Sequence, residues 1–253
     1  MSVNEKSRTQ RPGLLISVRD LVEAKIACEA DADLIDVKEP DRGSLGAADP
    51  QTLRAIAEDL AGRIPLSAAL GELVDADRQA AQLPAAYQFA KFGLAGAAKI
   101  DWQTALKRGF AQLPPHVRPV AVIYADWKTC AAPSPDEVCA CARELGVAAV
   151  LIDTFNKDGS TLFDHFTFNQ IGELISLAAQ ADLICVLAGG LSIDLVPAAA
   201  SFHPDYIAVR GAACDGDRQG NISLDAIRRI KRIIMSDHAV EEYSRASLRD
   251  PTL

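Results

Sequence analysis

AVLIDT (Ala149–Thr154), NQIGELISLAAQ (Asn169–Gln180) and LICVLAGG (Leu183–Gly190) form the stretch of sequence that decides the fold. The first and third segments are short, nearly continuous apolar runs, which are typical of strands buried on both faces of a parallel sheet. The middle segment has apolar residues at helical spacing. Together they predict a strand–helix–strand unit with parallel strands, because antiparallel neighbours need only a short turn between them.

The same alternation recurs along the rest of the chain. The other predicted strands are Gly13–Val18, Leu34–Lys38, Ile64–Leu70, Phe89–Leu94, Pro119–Ala125 and Tyr206–Gly211. Predicted helices include Leu21–Ala30, Gln51–Leu60, Trp102–Gln112, Pro135–Gly146, Leu191–Ser201 and Ile222–Ile234. Eight such units in 253 residues predict an α/β protein with one (β/α)8 TIM barrel. An open doubly wound sheet is the alternative, but no strand leads into a glycine-rich nucleotide-binding motif.

The ends of the chain lack the apolar pattern. We expect a flexible N-terminal tail over residues 1–12, a catalytic TIM-barrel domain over residues 13–234 and a polar C-terminal extension over residues 235–253. The first twelve residues have no apolar stretch of the kind found in signal peptides. No apolar run approaches the roughly 20 residues of a membrane span, so we expect no membrane partner.

Composition excludes several other classes of function. The formal net charge of −8 argues against a surface that binds nucleic acid, although a small basic pocket for an anion remains compatible with it. The six cysteines form no CxxC pair, and the four histidines are dispersed, so we expect no metal site. Scattered cysteines without a disulfide framework fit a cytoplasmic location.

Polar residues interrupt the predicted strands near their carboxyl ends, where TIM barrels carry their active sites. Asp36 and Lys38 are two residues apart and share one side of a strand, Lys91 lies inside an apolar strand, and Asp153 is soon followed by Lys157. A lysine near other cations and partly removed from water has a lowered pKa, and its neutral amine can form a Schiff base with a carbonyl. The alternative is that these lysines pair with aspartates and only support the barrel.

Further candidates line the expected mouth of the barrel. Tyr124 and Asp126 end the fifth strand, and we expect them to contact substrate. The loop from Glu39 to Ala47 is rich in glycine and contains Ser44, a candidate for binding a phosphate. The same loop is also compatible with an ordinary turn between strand and helix.

Two glycine-containing turns follow the seventh and eighth strands, where many TIM barrels bind phosphate. Gly189 and Gly190 end the seventh strand, while Arg210, Gly211 and Ala212 end the eighth. Backbone N–H groups in such turns can bind a phosphate, so these five residues are predicted to form a phosphate site. In the alternative interpretation, Arg210 pairs with a carboxylate and the two glycines only form a tight turn.

These residues resemble one known family, the (5-formylfuran-3-yl)methyl phosphate synthases, also called 4-(hydroxymethyl)-2-furancarboxaldehyde-phosphate synthases. The resemblance runs in order from about Gly13 to Ile234, with motifs at six strand ends. The matching segments are DVKEP (36–40), GSLGA (43–47), AKFGL (90–94), YAD (124–126), DT (153–154), KDG (157–159), TLFD (161–164), LAG (187–189) and VRGAAC (209–214).

The resemblance implies a Schiff-base enzyme that condenses two molecules of glyceraldehyde 3-phosphate into a furan aldehyde phosphate, releasing phosphate and water. The furan belongs to methanofuran-type cofactors. It implies that Lys38 is the Schiff-base nucleophile with Asp36 beside it. It further implies that Lys91 and Lys157 are catalytic or proton-transfer lysines and that Asp153 is their carboxylate partner. We expect no metal or organic cofactor.

Rival interpretations remain at this level. Another Schiff-base aldolase or sugar-phosphate isomerase would use the same barrel, and a non-catalytic barrel could bind a phosphorylated ligand. Ala-rich helical faces and the two tryptophans, Trp102 and Trp127, favour a homo-oligomer.

Overall fold

A closed barrel of eight parallel strands forms the centre of the protein. The computed structural model describes residues 11–75 and 83–236. The strands are β1 (Gly13–Val18), β2 (Leu34–Val37), β3 (Leu66–Glu72), β4 (Tyr87–Gly93), β5 (Arg118–Tyr124), β6 (Ala149–Asp153), β7 (Ile184–Leu187) and β8 (Tyr206–Val209). Each strand pairs with the next in sequence, and β8 pairs with β1. The predicted TIM barrel is therefore confirmed. Residues 1–10 of the predicted tail (1–12) and residues 237–253 of the predicted extension (235–253) lie outside the described residues.

Helices lie around this barrel. They are α1 (Leu21–Glu29), α2 (Pro50–Leu60), α3 (Trp102–Ala111), α4 (Pro135–Leu145), α5 (Leu162–His165), α6 (Phe168–Gln180), α7 (Val196–Ala200) and α8 (Leu224–Ile234). Local sequence sets their ends. Ser134 and Glu137 form a capping box at the start of α4, and Gly146 ends that helix at φ 61°, a left-handed conformation that glycine adopts readily.

The strands are short because their apolar runs end in residues that leave the sheet. The apolar pattern predicts that β7 reaches Gly190, but the strand ends at Leu187, since Gly189 and Gly190 take φ values of 101° and 63°. The helix predicted over Leu191–Ser201 is a 3₁₀ turn followed by the short α7. Pro197 explains this difference, because proline is tolerated only in the first turn of an α-helix.

Strand register brings polar side chains together near the carboxyl end of the barrel. Ser17 on β1 aligns with Asp36 on β2, and Asp36 aligns with Ser67 on β3. All three are at least 95% buried, while most neighbouring positions on these strands are apolar. This polar layer replaces part of the apolar filling of the barrel and lies beneath its mouth.

Candidate active site

A cavity of about 550 Å³ opens at the carboxyl ends of the strands. Its lining contains six basic side chains against three carboxylates. The basic residues are Lys38, Lys91, Lys157, Arg210, Arg218 and Arg229, and the acidic residues are Asp36, Asp153 and Asp217. The chain has a net negative charge, yet this cavity is lined by an excess of cations. Such a cavity favours an anionic ligand.

Lys38 lies directly after β2 and points into this cavity. Its side chain is 93% buried, and no hydrogen bond or ion pair joins its ammonium group to a described residue. Burial lowers the pKa of Lys38 to about 8, with the attraction of Asp153 opposing this shift and the repulsion of Lys157 adding to it. About one Lys38 amine in ten is therefore neutral at pH 7, and a nucleophilic amine must be neutral.

Asp153 and Lys157 form one of the two ion pairs next to Lys38. Lys157 Nζ donates to Asp153 Oδ1 at 2.9 Å and to the carbonyl oxygen of Thr154 at 2.6 Å. Ser44 donates to the second carboxylate oxygen of Asp153 at 3.3 Å. Burial opposes ionisation of this carboxyl, but the charges of Lys157 and Lys38 hold the pKa of Asp153 below its usual value. This pair can accept and return a proton beside the amine.

Asp36 and Lys91 form the second ion pair, on the floor of the cavity. Lys91 Nζ donates to Asp36 Oδ1 and, at 3.1 Å, to Ser67 Oγ. Both charged side chains are more than 95% buried. Removing either partner would leave the other charge unpaired in the barrel interior. The five residues predicted to be catalytic are thus brought together around one cavity.

The turns after β7 and β8 also line the cavity, as predicted for a phosphate site. The N–H groups of Gly190, Gly211 and Ala212 donate to no acceptor among the described residues. At Gly190 a side chain would collide with the carbonyl oxygen of Ser160, since a Cβ would lie 2.7 Å from it. Gly189 accepts from Leu162 N at 2.8 Å, which fixes the turn against the start of α5. Backbone donors are therefore available at this edge.

The prediction that Arg210 binds a phosphate is corrected by the structure, because its guanidinium group is fully occupied by protein acceptors. It forms a buried ion pair with Glu23 on α1, with Nη1 and Glu23 Oε2 at 2.7 Å. Its other donors bind the backbone carbonyls of Ser17, Arg218 and Gly220. The carboxylate alternative left open by the sequence fits these contacts, because every N–H of the fork has a protein acceptor.

Tyr124 and Asp126 also lie away from the cavity lining. Tyr124 donates to Glu72 Oε1 at 2.7 Å, and its ring packs edge-on against Phe155. Asp126 accepts from the backbone N–H groups of Phe155 and Asn156 at 2.7 and 2.8 Å. The prediction of direct substrate contact by these two residues is therefore replaced by a role in holding the loop that carries Lys157.

Sequence reasoning missed two charged residues near the site. Glu72 accepts from Tyr124 and from Ala95 N, and burial raises the pKa of its carboxyl. Arg218 lines the cavity from the loop after β8. No motif marks either position. The pairing of Glu72 with Tyr124 joins residues 52 positions apart, so only the folded chain reveals it.

Within residues 11–75 and 83–236, no group of three or more His, Cys, Asp or Glu side chains is arranged to hold a metal ion. Among the helices of the same described part, none has the length and apolarity to cross a membrane.

Comparison with known proteins shows the family of the chain. The profile of the 4-HFC-P synthase family matches residues 14–231, which include every residue of the cavity. The chain belongs to this family. A 4-HFC-P synthase relative, the (5-formylfuran-3-yl)methyl phosphate synthase of Methanosarcina acetivorans, is 33% identical over 86% of this chain and 97% of its own length. The enzyme of the same name from Methanocaldococcus jannaschii is 32% identical over 87% of this chain and 98% of its own.

Several solved structures share the fold of this chain. Phosphoribosyl anthranilate isomerase from Thermotoga maritima superposes with a TM-score of 0.59 at 15% identity, covering 88% of this chain and 98% of that protein. The 3-hexulose-6-phosphate synthase of Salmonella typhimurium has a TM-score of 0.56 at 16% identity, with 88% and 98% covered. At this identity the likeness shows a common barrel and nothing about substrate.

Proposed function

We propose that this protein is a (5-formylfuran-3-yl)methyl phosphate synthase that condenses two molecules of glyceraldehyde 3-phosphate through a Schiff base on Lys38. The balanced reaction releases one phosphate and two waters and leaves one phosphate on the furan product. The names of the relatives support the product, and the excess of cations in the cavity suits a pair of phosphorylated substrates. The product would enter the synthesis of methanofuran-type cofactors.

The state of Lys38 is the observation that carries this proposal. Its amine is buried, has no described hydrogen-bond partner and has a pKa of about 8. The two neighbouring lysines, in contrast, are each tied to an aspartate. Of the three cavity lysines, Lys38 is therefore the one whose nitrogen lone pair is most available for attack on a carbonyl.

The first chemical step joins the amine to the substrate. Neutral Lys38 attacks the carbonyl carbon of one triose phosphate and forms a carbinolamine. Loss of its hydroxyl as water leaves a protonated imine. That loss needs a proton donor, and Asp153 with Lys157 forms the pair whose charges act most strongly on Lys38. We assign proton delivery and removal at this step to that pair.

Carbon–carbon bond formation follows from the imine. The positive imine nitrogen accepts electrons, so a base can remove a proton from the adjacent carbon to give an enamine. The enamine carbon then forms a bond to the second triose. Elimination of one phosphate and ring closure with loss of two waters give the furan. Hydrolysis of the imine takes back the water lost when the imine formed and returns the amine. Asp36 and Lys91 lie on the cavity floor with one acidic and one basic group available for these transfers.

Substrate binding would use the turns after β7 and β8. Their unpartnered N–H groups at Gly190, Gly211 and Ala212 can donate to the oxygens of a phosphate. The phosphate would then lie at one edge of the cavity with the carbonyl toward Lys38, which lines the same cavity. Ser44 then acts indirectly, by fixing Asp153. No metal or organic cofactor is needed for these steps.

Incubation with glyceraldehyde 3-phosphate alone tests this proposal. We expect a furan absorbance to appear together with one released phosphate for each furan formed. Borohydride should trap one reduced triose phosphate on Lys38, located by peptide mass spectrometry. Lys38→Met should abolish both signals. Lys107→Met, which changes an exposed lysine on α3, should leave them intact. Reversible aldol cleavage or simple isomerisation without furan would contradict the proposal and support a different aldolase or isomerase.

A further inference from the structure

The loop after β8 carries an arginine to the mouth of the cavity. An isolated β-bridge between Cys214 and Ile222 closes this loop at its base. Arg218 lies near the middle of the loop, and its half-buried side chain lines the same cavity as Lys38. It also lies close enough to Asp153 for the two charges to attract each other.

Arg218 differs from Arg19 and Arg210 in its contacts. Its side chain makes one hydrogen bond, from Nη2 to the carbonyl oxygen of Gly43 at 3.3 Å. No carboxylate of the described residues forms an ion pair with it, and its Nε and Nη1 groups have no acceptor there. Arg19 and Arg210, in contrast, are both bound to carboxylates. Burial lowers the pKa of Arg218, but a guanidinium keeps its proton at neutral pH.

Other charged side chains hold this loop in place. Arg210 Nε donates to the carbonyl oxygen of Arg218 at 2.7 Å, and its Nη2 reaches the carbonyl of Gly220. Arg19 Nη1 donates to the carbonyl of Gln219 at 3.3 Å. The buried pair of Arg210 with Glu23 therefore fixes the backbone of Arg218, while leaving the guanidinium of Arg218 itself directed at the cavity.

We infer that Arg218 binds the phosphate of the second triose phosphate, and that Arg210 is the positioning residue that holds it there. The inference rests on the proposed function, which requires two phosphates in one cavity. The turns after β7 and β8 offer neutral backbone donors for one of them. Arg218 supplies the charged planar fork that suits a second phosphate, with two donor groups not used by the protein.

Two measurements on Arg218→Met test this assignment. Borohydride trapping on Lys38 needs only the first triose phosphate, whereas furan formation needs both. We expect the concentration of glyceraldehyde 3-phosphate for half-maximal trapping to stay within about twofold of wild type, while that for furan formation rises about ten- to hundredfold. Arg218→Lys, which keeps the charge without the fork, should recover part of the loss. Arg228→Met on the exposed face of α8 is the matched control and should change neither value.

Binding of glycerol 3-phosphate gives a test that does not depend on turnover, because this molecule has the phosphate and no carbonyl. Calorimetry should find two sites per chain in wild type and one in Arg218→Met. Equal loss in trapping and furan formation would overturn the assignment to the second triose. Two sites remaining in Arg218→Met, or loss of a site in Arg229→Met instead, would overturn the role of Arg218. Absence of furan from wild type would defeat the proposed function, while the binding count would still decide for or against Arg218.

Discussion

Replacing Lys157 by methionine should raise the pKa of Lys38 and so make its amine less nucleophilic at neutral pH. In the folded protein, Lys157 repels the charge of Lys38 and also neutralises Asp153, whose carboxylate lies 2.9 Å from Lys157 Nζ. The substitution removes the repulsion and leaves Asp153 free to attract the Lys38 ammonium. Both changes favour the protonated amine.

The expected size follows from the pKa of about 8 for Lys38. At pH 7 about one amine in ten is neutral in wild type. A rise of about one pKa unit, typical for the loss of one nearby charge, leaves about one in a hundred. The rate of any reaction of the neutral amine should therefore fall about tenfold at pH 7. Above about pH 10 both proteins hold mostly neutral Lys38, so the difference should vanish.

Trace acetylation with acetic anhydride measures this directly. The labelling of the Lys38 peptide is followed by mass spectrometry from about pH 6.5 to about pH 10.5, a range that brackets the titration of a lysine with a lowered pKa, and is normalised to added N-acetyl-lysine. Lys107→Met, on the exposed side of α3, should reproduce the wild-type curve. If the curve of Lys157→Met keeps its wild-type midpoint while furan formation falls, Lys157 acts as a proton-transfer group alone. That result would refute an electrostatic effect of Lys157 on the Lys38 amine.

Three other substitutions separate stability from activity. Lys38→Met should raise the free energy of unfolding by about 3 kcal/mol at pH 7, because the cost of the buried charge is present in full below about pH 8 and disappears as the pH rises to 10.5; urea titration at pH 7 and 10 measures this gap, which must narrow at the higher pH. Arg210→Met should lower the free energy of unfolding by about 3–5 kcal/mol, because Glu23 is left buried without a partner. Adding Glu23→Gln should restore part of that stability, as measured by thermal unfolding. Asp126→Ala should lower kcat about tenfold with little change in KM, because the backbone of Phe155 loses its acceptor and the loop of Lys157 is less well placed; an unchanged kcat would contradict this role.

Most of the barrel could be predicted from the sequence, because each strand and helix is marked by the residues within it. A short apolar run such as Ala149–Asp153 identifies a buried strand, and apolar residues at helical spacing identify a helix such as α8. Errors arose where one residue overrides that pattern. Gly189 turns the chain out of β7 early, and Pro197 limits α7 to a short helix. The short α5 was missed, because a helix of four residues leaves too little pattern to detect.

The sequence could predict which residues lie at the site, because the ends of the strands determine their positions, but not what each side chain contacts there. The five predicted catalytic residues lie among the last three residues of a strand or shortly after it, so the barrel brings them together whatever their side chains do. The direction of a side chain is different, because it depends on partners distant in sequence. Arg210 donates to Glu23, which lies 187 positions away in the sequence. Because of this contact Arg210 supports the loop instead of binding a phosphate as the sequence predicts.

Arg210 and Arg218 have different roles in the proposed site. This difference explains how the barrel keeps a cation at its mouth that is not already paired with one of its own carboxylates. Both arginines lie in the same strand–loop segment, and Glu23 and Asp153 are both within electrostatic reach of it. Arg210 lies deeper and takes Glu23, where burial makes an unpaired charge most costly. Its remaining donors then fix the loop, so the guanidinium of Arg218 needs no ion pair of its own to stay in position. A substrate phosphate can therefore bind Arg218 without first displacing a protein carboxylate, because the Arg210–Glu23 pair already holds the loop.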